Sequence, residues 1–305
     1  NTMPYPVGCL VSYAQKDEVI RNGFKFRIFK YPQKLLDEIT VQKPDILCLG
    51  NYCWNLDISY TIAEKIKKVR PETVIIFGGP NYPTVAPEQS DFLKKYPAID
   101  FYCYKESELA FAGLLKLLLE NRMNVEAVKN LKPKGVHYIF NEELIAGEPC
   151  ERLKELDDIP SPYINGSLDE FFDANLIPII QTNRGCPFAC TFCVEGLSYY
   201  SKVNKKSVGL VDEELNYIAK HLNPAVHDLH ITDSNFGMYK EDEVIGDVIA
   251  AVQAKYNWPL YIHVATGKNQ KERVLRVAKT INGALRLAGS VQSLTEQVLE
   301  NIKRA

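Results

Sequence analysis

Three of the chain's eight cysteines lie within eight residues, as Cys186, Cys190 and Cys193, with the spacing Cys-x3-Cys-x2-Cys. Three thiolates on one short loop are able to hold three irons of a cubane iron–sulfur cluster. The sequence has no further cysteine close to this loop, so one iron would keep an open coordination position. A bound metal with an open position does chemistry more often than it supports structure. The loop therefore predicts a [4Fe–4S] cluster with a catalytic role.

Two other uses of these cysteines remain open from the sequence. A zinc site usually combines two pairs of cysteines or adds histidines at short spacing, and the nearest histidine, His221, is remote along the chain. A disulfide would suit a small secreted protein better than a chain of 305 residues. The other cysteines are isolated and are expected to behave as small hydrophobic residues. They are Cys9, Cys48, Cys53, Cys103 and Cys150.

The elements that must position the cysteine loop alternate between strand and helix from residue 175 onward. The predicted strands cover residues 176–182, 228–232, 260–265 and 284–290, and the predicted helices cover residues 208–221, 241–256, 271–281 and 294–303. The first strand leads directly into the loop. In βα barrels the active site lies where the strands end. About four units are present, half of a full barrel.

The cysteine spacing, with the aromatic residue Phe192 directly before Cys193, resembles that of the radical S-adenosylmethionine (SAM) enzymes. The resemblance implies that residues 175–305 form a partial (βα)6-type TIM barrel. Because only about four of the six units are present, we expect the C-terminal part of the barrel to be missing from this sequence. It also implies that the open iron chelates the amino and carboxylate groups of SAM. An electron from the cluster would then cleave SAM to a 5′-deoxyadenosyl radical.

The same resemblance implies SAM contacts where the later strands end. Residues 233–235 occupy the position of the family's motif for the SAM amino group, although the common Gly-Gly-Glu form is absent; capping of the next helix is the alternative. Residues 292–293 resemble a stretch that lies near the SAM ribose. Arg304 is either a partner of the SAM carboxylate or a solvated charge at a helix end. The expected SAM contacts are Phe192, Asp233, Ser234, Asn235, Gln292, Ser293 and Arg304.

Residues 1–122 also alternate between strand and helix, which predicts a parallel, doubly wound sheet of the Rossmann-like (flavodoxin-like) type. The predicted strands cover residues 24–29, 45–50, 73–78 and 100–104, and the predicted helices cover residues 7–21, 32–40, 57–69, 87–95 and 106–119. In the flavodoxin-like order the first strand is central. Here the chain begins at the helix that would follow that strand. We therefore expect the first strand to be missing from this sequence.

Ligands of such sheets bind at the carboxyl ends of the strands. Residues 50–52 follow one buried strand, and the pair Gly78-Gly79 follows the next, where paired glycines allow a ligand to approach the backbone. The alternative is that the two glycines form an ordinary turn that binds no ligand. A domain of this type ahead of the cysteine loop resembles the cobalamin-binding domain of B12-binding radical SAM proteins. The cobalamin neighbours expected from this resemblance are Gly8, Gly50, Asn51, Tyr52, Gly78 and Gly79.

The chain departs from that family at two points. Gly50 stands where a serine is usual, and the pattern Asp-x-His-x-x-Gly, whose histidine ligates cobalt, is absent. No histidine occurs before His137. The resemblance therefore implies cobalamin without a histidine ligand from this domain. The pair Lys268-Asn269, after the third predicted barrel strand, is similar to a pair that B12-binding members often have.

Residues 123–174 are expected to connect the two domains. Residues 135–140 and 144–147 flank Asn141-Glu142-Glu143 and predict a small β-hairpin. The proline-rich stretch 156–163 is expected to be extended and to lead into the catalytic domain.

The bulk composition is that of a globular protein, with 46% hydrophobic and 24% charged residues. The net charge of −2 gives no indication of a nucleic-acid partner. No apolar run approaches the length of a membrane span. Isolated cysteines are typical of a reducing cytoplasm. The resemblance adds an expected electron donor, such as flavodoxin or ferredoxin.

The leading hypothesis is a radical SAM enzyme that uses a [4Fe–4S] cluster, SAM and cobalamin, for example to methylate an unactivated carbon. The substrate, whether a small molecule, a lipid or a peptide, is not indicated. A second hypothesis is a cobalamin-independent radical SAM enzyme that carries out a rearrangement, cyclisation or oxidation. A third, from another class, is a non-catalytic iron–sulfur or zinc-binding module.

Overall fold

The computed structural model describes residues 1–287 and 289–304. The chain divides into two compact units. The sheet unit comprises Cys9–Arg152, and the cysteine-loop unit comprises Asn1–Gly8 together with the chain from Leu153 onward. The predicted boundaries lie at residues 122 and 174 and differ from these. The predicted hairpin pairs with the strands of the sheet unit, and Thr2 pairs with Ile177 within the cysteine-loop unit.

The sheet unit alternates helices and strands. In chain order its elements are α1 (Tyr5–Ala14, which begins in the cysteine-loop unit), α2 (Glu18–Gly23), α3 (Pro32–Val41), β1 (Ile46–Gly50), α4 (Leu56–Val69), β2 (Val74–Gly78), α5 (Ala86–Lys95), β3 (Phe101–Cys103), α6 (Glu108–Glu120), α7 (Val125–Asn130), β4 (Val136–Phe140) and β5 (Glu143–Ala146).

The strands of this unit form one sheet with the order β1-β2-β3-β4-β5. The first three strands are parallel, as predicted, and their register pairs Gly50 with Gly78 and Gly78 with Cys103. Strands β4 and β5 are antiparallel and form the predicted hairpin, which extends the sheet beyond β3. Tyr138 explains this placement, because its side chain is fully buried and its hydroxyl donates to the carbonyl of Lys129 at 2.6 Å.

Both faces of this sheet are covered, as the apolar runs predict. Successive side chains of β2 point to opposite faces, so Val74 and Ile76 pack toward α6 while Ile75 and Phe77 pack toward α4 and α5. Burial of each such side chain contributes about 1.5–3 kcal/mol. The sheet thereby holds the carboxyl ends of β1 and β2 in a fixed register.

The strand predicted at residues 24–29 is wrong. Phe24, Phe26 and Ile28 do face the core at alternate positions, which is the pattern that suggested a strand. The segment nevertheless makes no strand pairing among the described residues. Alternating burial therefore reflects packing of an extended segment here.

The cysteine-loop unit contains successive βα units. Its elements are β6 (Ile179–Ile180), β7 (Asn183–Arg184), β8 (Asn204–Lys205), α8 (Val208–His221), β9 (Asp228–Ile231), α9 (Lys240–Tyr256), β10 (Tyr261–His263), α10 (Lys271–Thr280) and α11 (Glu296–Asn301), with 3-10 turns at Leu156–Asp158, Asp169–Phe171, Val194–Gly196 and Ser198–Tyr200.

Strands β6, β9 and β10 form a parallel sheet with the order β10-β9-β6. At one edge Ile262 forms a parallel bridge with Leu285, where the fourth barrel strand is predicted; residue 288 of that predicted strand lies outside the described residues. At the other edge Thr2 pairs with Ile177, and the N–H of Met3 donates to the carbonyl of Ile177 at 2.9 Å. No helix of the described residues is long and apolar enough to cross a bilayer.

Candidate metal centre

The cysteine loop closes a small antiparallel hairpin in which Asn183 pairs with Lys205 and Arg184 with Asn204. Gly185 begins the loop with φ +121°, and a Cβ there would lie 2.4 Å from the carbonyl oxygen of Lys202. Only glycine fits this position without displacing backbone. The loop is therefore held at its base by the hairpin and by a turn that requires glycine.

The three cysteines differ in exposure. Cys186 and Cys190 are 3% and 5% exposed, whereas Cys193 is exposed. The N–H of Cys193 donates to the carbonyl of Cys190 at 3.2 Å, and the N–H of Gly196 donates to that of Cys193 at 3.0 Å. Gly196 also permits close packing, because a Cβ there would lie 2.2 Å from the Cys190 carbonyl oxygen. Tight turns therefore fix the backbone around the second and third cysteines.

Nitrogen donors face the two buried sulfurs. Asn235 Nδ2 lies 3.3 Å and Lys268 Nζ lies 3.7 Å from the Cys186 sulfur. Arg304 Nη1 lies 3.8 Å from the Cys190 sulfur. Such donors stabilise the negative charge of a metal-bound thiolate, so the surroundings fit iron-bound sulfur.

The described residues contain no group of three His, Cys, Asp or Glu side chains arranged to hold a metal ion. A single zinc ion requires ligands that converge on one point. The three cysteines that bind a cubane go to different irons and need not converge. The spacing Cys-x3-Cys-x2-Cys is compatible with such a cluster.

Asp233, predicted to contact SAM, holds the entrance to the loop. Its buried carboxylate accepts hydrogen bonds from the N–H and hydroxyl of Thr182 and from the N–H and side-chain amide of Asn183. Burial raises its pKa to about 7 against the effect of these donors. This carboxylate therefore links the end of β9 to the strand that enters the loop.

The next two residues, Ser234 and Asn235, contact the loop itself. The Ser234 hydroxyl donates to Glu195, two residues after Cys193. Asn235 is fully buried against Cys186, and its Oδ1 has no hydrogen-bond partner among the described residues. An unpaired buried oxygen beside the loop is suited to accept a hydrogen bond from a ligand such as an amino group.

The remaining predicted SAM contacts lie at the surface or near α11. Phe192 is 54% exposed. Gln292 is exposed with φ +69°, and the Ser293 hydroxyl accepts the N–H of Thr295 at 3.0 Å before α11 begins. The structure brings Arg304 to the loop, since it contacts the Cys190 sulfur and donates to the Ser290 carbonyl at 3.1 Å. The SAM-binding roles of these residues stay predictions.

At the carboxyl edge of the sheet unit, the turns after β1 and β2 are locked together. Asn51 is fully buried and donates through Nδ2 to the Asn81 carbonyl at 2.5 Å and to the Tyr102 hydroxyl at 3.0 Å. Gly79 has φ +128°, and a Cβ there would lie 2.4 Å from the Asn51 carbonyl oxygen. Asn51 and Gly79 therefore have structural roles beside any contact with cobalamin.

The backbone around Gly50 and Gly78 has room for a side chain, because an added Cβ would have its nearest neighbour at 3.7 and 3.6 Å, respectively. Tyr52 stacks on the exposed Trp54 with ring centroids 4.8 Å apart. Gly8 lies in the cysteine-loop unit, where a Cβ would meet Pro162 at 2.8 Å. Close packing thus accounts for Gly8, and its predicted contact with cobalamin stays a prediction.

No profile of a known protein family matches the chain. It is 31% identical over 315 residues to the cobalamin-dependent radical SAM methyltransferase TokK of Streptomyces tokunonensis, an alignment that covers 99% of this chain and 44% of TokK. It is also 31% identical over 316 residues to the 2-(S-pantetheinyl)-carbapenam-3-carboxylate methyltransferase of Streptantibioticus cattleyicolor, again with 99% and 44% coverage. The chain is a homologue of cobalamin-dependent radical SAM methyltransferases.

The fold of the described chain is similar to that of a solved structure. The solved structure of the cobalamin-dependent SAM radical enzyme OxsB with aqua-cobalamin and SAM bound superposes with a TM-score of 0.68 at 19% identity, over 100% of this chain and 43% of OxsB. The predicted Rossmann-like sheet followed by a partial barrel is thereby confirmed. The chain spans less than half the length of these two curated relatives.

The site includes three residues to which the sequence assigns no role there. The sequence indicates Lys268 only as one residue of a Lys-Asn pair, and it predicts no site role for Thr182 or Glu195. The signal for Thr182 was its place at the end of the strand that enters the loop. No local pattern marks Glu195, because its partner Ser234 is on a different βα unit.

Proposed function

We propose that the protein is a cobalamin-dependent radical SAM methyltransferase. The observation that carries the proposal is the cysteine loop, whose two buried sulfurs face nitrogen donors, within a chain homologous to such enzymes over 99% of its length. In this proposal Cys186, Cys190 and Cys193 hold the [4Fe–4S] cluster. With SAM and cobalamin bound, these groups supply radical chemistry and a transferable methyl group.

The chain's own residues position SAM in this proposal. The unpaired Asn235 Oδ1 accepts a hydrogen bond from the SAM amino group, which satisfies a buried acceptor. Arg304 offers the SAM carboxylate the guanidinium N–H groups that do not face Cys190. Asp233 and Ser234 act indirectly, by holding the loop through Thr182 and Glu195.

Cobalamin is proposed to bind at the carboxyl edge of β1 and β2, which is the usual ligand-binding edge of such sheets. The locked turns at Asn51 and Gly79 would present a pre-formed edge to it. His137 is unsuited as a cobalt ligand, because it is buried on β4 with its Nδ1 3.3 Å from the Tyr82 hydroxyl. The proposal therefore keeps a cobalt without a histidine ligand from this unit.

The proposed setting is the cytoplasm, where thiols stay reduced and an electron donor such as flavodoxin or ferredoxin is at hand. The carbapenam relative is named for methylation of a small carboxylate that carries a pantetheinyl group. We propose that a small molecule is the substrate class here too. Both curated relatives are more than twice as long as this chain.

Anaerobic reconstitution with iron, sulfide and cobalamin tests the proposal. We expect corrinoid absorption bands to remain after gel filtration, and we expect reductant and SAM to yield 5′-deoxyadenosine. Cys193→Ala should abolish this product, whereas Cys150→Ala, which changes a free cysteine in the sheet unit, should not. A cluster that cleaves SAM without corrinoid bands would favour the cobalamin-independent hypothesis. One zinc per chain in place of iron would support the non-catalytic module.

A further inference from the structure

The contact between Asn235 and Cys186 carries an inference about the cluster. Asn235 is 0% and Cys186 is 3% exposed, and Asn235 Nδ2 lies 3.3 Å from the sulfur. An iron-bound cysteine sulfur has no proton, so it can only accept a hydrogen bond. The side-chain amide of Asn235 must therefore turn its N–H group, rather than its oxygen, toward Cys186 when iron is bound.

A second donor reaches the same sulfur from another strand end. Lys268 Nζ lies 3.7 Å from the Cys186 sulfur, and the ammonium group also lies 5.3 Å from the centre of the Phe188 ring. Phe188 belongs to the cysteine loop, two residues after Cys186. The aromatic ring favours a cation at this place. Lys268 thus brings a full positive charge to the sulfur that Asn235 already contacts.

Hydrogen bonds and positive charge at a cysteine sulfur stabilise the reduced cluster more than the oxidised one, because reduction adds negative charge. The three cysteines are not equivalent in this respect. The Cys186 sulfur receives an amide and an ammonium donor, the Cys190 sulfur faces Arg304, and Cys193 is exposed to solvent. The Cys186 sulfur is therefore where the protein acts most directly on the electron affinity of the cluster.

We propose that Asn235 and Lys268 raise the reduction potential of the [4Fe–4S] cluster through the Cys186 sulfur. Both act through Cys186 and are positioning residues, whose effect appears in the potential before it appears in turnover. The inference rests on the proposed function, since it requires the cluster on Cys186, Cys190 and Cys193.

The test is a redox titration of reconstituted protein with dithionite, which supplies one electron per cluster, followed by electron paramagnetic resonance. Asn235→Leu removes the buried amide donor at similar volume, and Lys268→Met removes the ammonium group from an exposed side chain. The matched control is Lys271→Met, which removes the same charge three residues away at the exposed start of α10. Because Lys268 is exposed, its variant is expected to fold even if Asn235→Leu does not.

We expect each of the two variants to lower the equilibrium constant for reduction about threefold to tenfold, where tenfold corresponds to 59 mV for a one-electron couple. Lys271→Met should match the wild type. Potentials of both variants equal to that of the wild type, with full iron and sulfide content, would overturn the inference and leave the proposed function standing. A wild-type protein that takes up no reducible cluster would overturn both.

Discussion

The carboxylate of Asp233 accepts the backbone N–H of Thr182 at 2.8 Å and, through its second oxygen, the hydroxyl of the same residue. Two strand ends of the cysteine-loop unit are joined by this pair, one leading into the loop and the other into residues 234–235, which contact it. Asp233, which the family resemblance assigns to SAM, therefore also holds the strand that enters the cysteine loop. The following predictions test this and the other contacts on which the two units depend.

Replacing Asp233 should loosen the loop. At pH 8, above its raised pKa of about 7, the carboxylate is ionised and accepts hydrogen bonds on both oxygens. Asp233→Asn turns an NH2 group toward donors of Thr182 or Asn183, which should lower the free energy of unfolding by about 2 kcal/mol. Urea unfolding and iron content after reconstitution measure the two effects. Asp247→Asn, on the exposed face of α9, is the control, and an equal loss in both variants would contradict this role.

Two glycines of the sheet unit should respond in opposite directions to alanine. Gly79→Ala puts a Cβ 2.4 Å from the Asn51 carbonyl oxygen at φ +128°, so we expect a loss of roughly 2 kcal/mol or more and weaker cobalamin binding. Gly113→Ala, in α6, meets nothing within 4 Å and should gain about 0.5–1 kcal/mol. Thermal unfolding and corrinoid absorbance after gel filtration test both. Equal stabilities would show that the close turn is not required.

The buried ion pair of Lys206 and Glu214 should contribute more to the free energy of unfolding than the exposed pair of Lys205 and Glu241. Lys206 Nζ lies 2.9 and 2.8 Å from the two Glu214 carboxylate oxygens and 3.0 Å from the Tyr5 hydroxyl. Lys206→Met leaves a buried carboxylate without its partner, which costs about 3–5 kcal/mol. Lys205→Met breaks the exposed pair with Glu241 and the contact of Lys205 Nζ with the Tyr239 ring, and it should cost about 1 kcal/mol.

The double variant Lys206→Met with Glu214→Leu separates charge burial from packing. Removal of both charges should recover part of the loss, because no unpaired charge remains in the core. Urea unfolding of the single and double variants gives the comparison. A double variant as unstable as the sum of its two single variants would contradict the prediction.

The stability of the sheet unit should fall in acid because of His137. Burial lowers the pKa of His137 to about 4 from its ordinary value of 6.5, with a contribution from nearby Lys105. Between these values the unfolded chain binds a proton that the folded chain does not. Stability is therefore highest above pH 6.5 and is lost as pH falls toward 4, by up to about 3 kcal/mol.

Urea unfolding from pH 4 to pH 7.5 checks this prediction. His137→Asn keeps a polar group that can meet the Tyr82 hydroxyl but does not titrate, so its stability should change less over this range. His227→Asn, at an exposed position, is the matched control. A wild type and a His137→Asn variant with the same pH dependence would show that another group is responsible.

Local sequence patterns predict many of the helices and strands. The helices and parallel strands around DILCLG and TVIIFG were predicted within one or two residues, because buried strands and amphipathic helices leave strong periodic signals. The unpaired segment at residues 24–29 and the attachment of the β4–β5 hairpin were not foreseen. Both depend on which strand lies alongside, and pairing between distant segments has no local signature.

The candidate site likewise has residues with a local sequence signal and residues brought together from distant segments. Cysteine spacing indicated Cys186, Cys190 and Cys193, since a cluster constrains ligands that lie close in sequence. The donors to the cysteine sulfurs come from other strand ends, at Asn235, Lys268 and Arg304, and only the structure shows that they reach the sulfurs. The resemblance marks Lys268 only as one residue of a Lys-Asn pair, and its contact with Cys186 cannot be read from the sequence.

The most direct test of the central claim is the electron paramagnetic resonance spectrum of the reduced, anaerobically reconstituted protein with and without SAM. We predict a reduced [4Fe–4S] signal whose g values change when SAM is added, because SAM occupies the iron that Cys186, Cys190 and Cys193 leave open. A reduced cluster whose signal is identical in the presence and absence of saturating SAM would contradict the account.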